Sequence, residues 1–116
     1  MAIRTFAAID VGSFELEMGI YEMSYKTGIR RVDHIRHVIA LGKDTYSEGK
    51  ISYGLVEEMC QVLGEFVQIM KTYRVKDYRA YATSAMREAR NNQIILEQIR
   101  VRTGLTTSII TNMNTM

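Results

Sequence analysis

Asp10, Gly12 and Ser13 are the first residues whose types and spacing could do chemistry, in the run Ile9-Asp10-Val11-Gly12-Ser13. A carboxylate closes an apolar stretch, and a glycine and a serine make the turn after it. Gly12 has no Cβ, so backbone N–H groups there can approach an anion closely. Asp10 is suited to holding Mg²⁺, or water bound to it, beside a phosphate. Asp, Gly and Ser are equally the ordinary residues of a plain hairpin turn, so both readings stay open for this run by itself.

The second cluster is Tyr81-Ala82-Thr83-Ser84-Ala85-Met86-Arg87-Glu88-Ala89-Arg90-Asn91. Strand chemistry there delivers Thr83 and Ser84 to the start of a helix, where free N–H groups and the helix dipole favour an anion. Arg87 falls in the first helical turn, and its guanidinium can bind phosphate bidentately. Arg90 follows three residues later, roughly along the same face. An arginine at the positive end of a helix is unfavourable unless an anion offsets it. That favours a phosphate site over an ordinary capped helix.

These clusters need elements to place them. Thr5–Val11 reads as a buried strand, apolar until Asp10. Phe14, Leu16, Met18 and Ile20 then alternate with Glu15, Glu17 and Gly19, the period of a half-exposed strand. Thr27-Gly28 marks a turn, and Ile29–Leu41 reads as a third strand of an antiparallel meander. Lys43–Gly49 is polar and reads as a loop. Ser52 is placed to cap a long helix, whose apolar residues from Leu55 to Tyr73 recur at helical spacing. Asp77–Thr83 returns to strand chemistry. Ser84 is placed to cap a short helix from Ala85, with a bend at Asn91-Asn92, a continuation to Arg102 and a stop at Gly104. Thr107–Thr111 is a last short strand. The predicted order is β-β-β-α-β-α-β, an α/β fold with a mixed sheet.

The 116 residues fit one domain, without proline and without a Gly/Ser-rich linker. No apolar run approaches the roughly 18 residues that would span a bilayer, and no signal peptide is recognisable, so no membrane role is expected. One cysteine, Cys60, allows no internal disulfide and points to the cytoplasm. The net charge of +2 is too small to argue for nucleic acid. From Lys71 onward, however, there are eight basic residues against three acids, a bias that suits a polyanion or, more blandly, solvated helix and strand ends. Cys60 lies on the apolar helix stripe and reads as a buried structural thiol. His34 and His37 are expected to face opposite sides of a strand, which argues against a shared metal. The methionines read as core filler. Glu15 and Glu17 share a face within reach of a cation, with plain solvation as the simpler reading.

Asp10-Val11-Gly12-Ser13 and Ala82-Thr83-Ser84-Ala85-Met86-Arg87-Glu88-Ala89-Arg90-Asn91 together resemble two segments of the exopolyphosphatase/guanosine pentaphosphate phosphatase (Ppx/GppA) family. The first looks like that family's first phosphate loop. The second closely resembles its ATSAxREAxN segment. Leu41-Gly42 with Gly49 and Ser52, and Thr103-Gly104-Leu105, are similar to further family stretches in the same order. The resemblance implies a ribonuclease-H-like, actin-type ATPase fold of two domains, of which this chain would be the N-terminal half. It implies hydrolysis of terminal phosphoanhydride bonds in polyphosphate or guanosine pentaphosphate, with Mg²⁺. Asp10, Gly12 and Ser13 would position phosphate and metal, and Thr83, Ser84 and Arg87 would bind the anion.

Three departures from the family pattern stand out. Phe14 replaces an asparagine that contacts phosphate. The acidic segment expected just after Thr111, which would supply the general base, reads here as Asn112-Met113-Asn114-Thr115-Met116. A second glycine-rich phosphate loop is not present. Without a base and half the phosphate cradle, hydrolysis loses activation and charge stabilisation. The expectation is therefore a chain that folds without turning over substrate, and that self-associates through the face meant for the other domain. The alternative is a non-catalytic domain of the same fold that senses a phosphorylated nucleotide. Half of an actin-like sugar kinase fits less well, because the Ala82–Asn91 run is not a kinase feature.

Overall fold

The computed structural model describes residues 3–110. Its strands are β1 (Arg4–Val11), β2 (Glu15–Ser24), β3 (Gly28–Val38), β4 (Asp77–Ala82) and β5 (Ser108–Ile109). Its helices are α1 (Leu41–Glu48), α2 (Tyr53–Thr72), α3 (Ser84–Glu88) and α4 (Asn92–Thr103). The strands form one sheet in the order β3-β2-β1-β4-β5. β1, β2 and β3 pair antiparallel, whereas β4 runs parallel to β1 and β5 parallel to β4. The mixed sheet follows from the connections: short turns join β1 to β2 and β2 to β3, and helices carry the chain across to β4 and β5.

The period-2 pattern sorts the strands into a covered and an open face. Ala7, Ile9 and Val11 pair with Ile20, Met18 and Leu16, and all six are buried. Ala80 and Ala82 extend the same face, next to Ile9 and Val11. Met59, Leu63 and Phe66 of α2 and Ile95 and Ile99 of α4 join these strands in one hydrophobic core. Buried Met18, Met59, Met70 and Met86 are core filler as expected, whereas Met23 is exposed on β2 and is not. The open face carries Asp10, Glu17 and Tyr81 in register. Tyr21 folds its ring over Gly19 on this face and stacks on Phe6 with centroids 5.2 Å apart. A Cβ at Gly19 would lie 2.7 Å from that ring, so the tyrosine supplies the cover that the glycine lacks.

The Ser52 cap forms as expected, its Oγ accepting from the Leu55 N–H. Gly104, at φ 81°, ends α4 in the left-handed region, also as expected. His34 turns to Glu17 and His37 to Glu58 of α2, on opposite sides of β3. Glu15 is ion-paired with Arg36. Cys60 is buried, and desolvation raises its thiol.

Four expectations need correction. Lys43–Gly49 is not a loop: α1 occupies Leu41–Glu48, with Leu41, Gly42 and Thr45 buried. Its inward side is made of a glycine and a threonine beside one leucine, so no apolar period announces it. β3 stops at Val38 rather than running to Leu41. The cap of α3 is Thr83, not Ser84, and no side chain caps it. The break between α3 and α4 begins at Ala89, which is extended at ψ 130°, before the expected Asn91-Asn92. Of the strand expected over 107–111, β5 covers Ser108–Ile109, and Thr111 lies outside the described residues. No helix among the described residues is long and apolar enough to cross a membrane.

Candidate phosphate site

Parallel pairing of β1 with β4 sets Val11 beside Ala82, so both strands end at the same edge and their loops leave side by side. The Thr83 N–H donates to the Val11 carbonyl at 3.2 Å, carrying the ladder one residue further. Gly12 and Ser13 therefore stand next to Thr83 and Ser84. This is the carboxyl end of two parallel strands, the place where open α/β sheets bind ligands.

Ser13 and Ser84 meet directly, their Oγ atoms 3.1 Å apart. The Tyr46 hydroxyl joins them, 2.5 Å from Ser84 Oγ and 3.3 Å from Ser13 Oγ. Tyr46 is not among the residues the sequence singles out, because its segment reads as a loop. The available signal is its spacing of four from Gly42, which places both on one side of a helix once the helix is known. The backbone holds this group together. The Gly42 N–H donates to the Ser13 carbonyl at 2.7 Å, and buried Thr45 donates its hydroxyl to the Ala85 carbonyl at 2.9 Å.

The other candidates are placed differently. The Gly12 N–H donates to the Glu15 carbonyl at 3.0 Å, so it closes the turn rather than pointing outward. Thr83 gives its carbonyl to the Arg87 N–H. The Arg87 guanidinium points away from the hydroxyl group: Nη1 donates to the Ile110 carbonyl at 2.7 Å, and Nε faces Glu88 at 3.4 Å. Its side chain remains 28% exposed, so part of it is open to a ligand. Arg90 does not follow Arg87. It donates to the Glu48 carbonyl at the end of α1, where a cation suits the helix dipole. Asn91 clamps Ile51 at both backbone groups, accepting from its N–H at 3.2 Å and donating to its carbonyl at 2.9 Å.

Asp10 stands on the open face at the end of β1. Desolvation by the flanking strands raises its carboxyl, and the like charges of Glu17 and then Glu15 add to the rise. Among the described residues no three His, Cys, Asp or Glu side chains gather as a metal cage. The position just after Thr111 where the resemblance places a carboxylate lies outside the described residues, and no Asp or Glu follows Glu97 in the sequence. Several large apolar side chains surround this end of the sheet and are exposed: Phe14, Val38, Tyr46 and Tyr81.

The sequence model of the Ppx/GppA phosphatase family matches residues 20–114. The chain belongs to the Ppx/GppA phosphatase family. Exopolyphosphatase 1 of Mycobacterium leprae (strain TN) is 27% identical over 103 residues, covering 88% of this chain and 30% of the relative. Exopolyphosphatase 1 of Mycobacterium tuberculosis (strain ATCC 25618 / H37Rv) is 26% identical over 97 residues, covering 84% and 28%. The crystal structure of the Aquifex aeolicus Ppx/GppA family member superposes with a TM-score of 0.90 at 27% identity, over 95% of this chain and 36% of that one. An exopolyphosphatase from Cytophaga hutchinsonii shares the fold at TM-score 0.87 and 20% identity, over 92% and 34%. This Ppx/GppA member thus spans 30% and 28% of the length of those curated relatives. Its mixed five-stranded sheet with helices is the actin-like ATPase type of α/β fold, as the sequence implies.

Proposed function

We propose that this Ppx/GppA chain supplies a phosphate-holding wall of a hydrolase that releases terminal phosphate from polyphosphate or guanosine pentaphosphate. The observation that carries the reading is the meeting of Ser13 and Ser84 at the carboxyl ends of β1 and β4. Their hydroxyls offer hydrogen bonds to an anion, and Arg87, beside them on α3, offers charge once its guanidinium swings from Ile110. Thr83 and Gly12 shape the two loops. Asp10 fits a Mg²⁺ site of the kind that uses one carboxylate, retained waters and substrate phosphate. Mg²⁺ there would neutralise phosphate charge and relieve the crowding of Asp10 by Glu17 and Glu15.

The relatives extend well beyond the matched region. To that remainder the proposal assigns the second phosphate loop that the family resemblance implies, while the water-activating carboxylate, placed by the resemblance just after Thr111, has no counterpart in Asn112-Met113-Asn114-Thr115-Met116. The 116-residue chain by itself then binds without turnover, as the N-terminal domain of a larger cytoplasmic enzyme. The exposed rim of Phe14, Val38, Tyr46 and Tyr81 favours a second reading for the chain alone: a phosphate- or nucleotide-sensing module that self-associates through this rim. Self-association is expected on both readings, and sedimentation as a monomer at rising concentration would remove it from both.

The direct test is calorimetric binding of tripolyphosphate with Mg²⁺, run beside phosphate release from long-chain polyphosphate. Removing the charge-assisted hydrogen bonds of Arg87 by Arg87→Ala is expected to weaken a saturable binding about 10- to 100-fold, with no release by either chain. Release that depends on Arg87 would show that this chain is catalytic by itself. Absence of binding would overturn the phosphate reading.

A further inference from the structure

We infer that Tyr46 is a phosphate-binding residue, the third hydroxyl of the seat formed by Ser13 and Ser84. The inference rests on the phosphate reading of that site and deepens it. The three hydroxyls lie within hydrogen-bonding distance of one another, at 3.1, 3.3 and 2.5 Å. Each hydroxyl carries one proton and accepts readily, so the group closes on itself as a ring in which every proton is used. An anion reverses this arrangement. The three O–H bonds rotate outward, each leaving its neighbour in the ring and making a stronger bond to a charged oxygen. Three donors around one point match the three terminal oxygens of an end phosphoryl group, whereas an interior phosphoryl group in a chain offers two.

The aim of Tyr46 is built into the backbone. α1 is tied to the β1–β2 turn by the Gly42–Ser13 bond at 2.7 Å and to α3 by the Thr45–Ala85 bond at 2.9 Å. The residue after Thr45 is thereby held between the two loops that carry the serines. Gly42 makes room for it: a Cβ there would sit 3.0 Å from the Tyr46 ring, 3.1 Å from Phe14 and 3.1 Å from Ser13. The tyrosine is 56% exposed, with its ring against Gly42 and its hydroxyl held to both serines.

Titration of the chain with tripolyphosphate tests the inference. Affinity would be compared for wild type, Tyr46→Phe and Ser84→Ala, with the ring carbons of labelled tyrosine followed by NMR. The expected result is a loss of about three- to tenfold in affinity for Tyr46→Phe, the size of one neutral hydrogen bond, with a shift of the Tyr46 signal in wild type. Equal binding by Tyr46→Phe and wild type, with Ser84→Ala weakened, would overturn the inference and leave the site reading standing. Tighter binding by Tyr46→Phe would also overturn it, since the hydroxyl would then be competing with the ligand. No binding by wild type would overturn the site reading and the inference together.

Discussion

Asp10 faces Glu17 across the β1–β2 ladder, and its carboxyl is raised by desolvation first and by Glu17 and Glu15 next. A raised carboxylate pKa means that the folded chain favours the protonated form. The charged residue therefore costs stability at neutral pH, a cost that falls away as pH drops through the folded value and is gone below the ordinary value of 3.8. Asp10→Asn is expected to raise the melting temperature at pH 7, with the gap to wild type closing in acid. Mg²⁺ should raise the melting temperature of wild type and leave that of Asp10→Asn unmoved. A melt series over pH, with and without Mg²⁺, checks both. Arg87 belongs to the same scale: its charge is held by a backbone carbonyl and a long hydrogen bond to Glu88, so a phosphate would compete with modest partners.

α1 shows how an element can matter while giving little sign of itself. Its buried side is Leu41, Gly42 and Thr45, which carries no apolar stripe, and Gly49 at φ 75° ends it in the left-handed region. Arg90 closes over that glycine and reaches the Glu48 carbonyl. The link from α1 to α2 is then fastened by Asn91, whose amide satisfies both backbone groups of Ile51. Asn91→Ala leaves those two groups without partners, and we expect a loss of about 1–3 kcal/mol, read from the urea midpoint. The family-like run Ala82–Asn91 thus divides its labour. Ser84 and Arg87 are candidates for the ligand, and Arg90 and Asn91 hold α1 and the start of α2 in place.

The described residues form one sheet with the core on its covered face, where Phe66 is 1% exposed. Phe66→Ala is expected to cost about 3–5 kcal/mol, through the apolar area no longer buried and the cavity left behind. A domain of this size commonly has only about 5–15 kcal/mol in total, so the urea midpoint should fall steeply. Local pattern was enough for much of this: alternation in β1 and β2, the stripe of α2, the Ser52 and Gly104 caps and the buried Cys60 were legible because each depends on neighbours a few residues away. The family was legible too, since two short runs carry it. Tertiary structure alone decided what meets what. Ser13 and Ser84 are 71 residues apart and come together only because β4 pairs parallel to β1. Tyr46 joins them only because α1 is tied to both loops, and Arg87 turns to Ile110 only because β5 runs beside β4. Local periodicity says which face of an element is buried, but only long-range pairing says which side chains share a site.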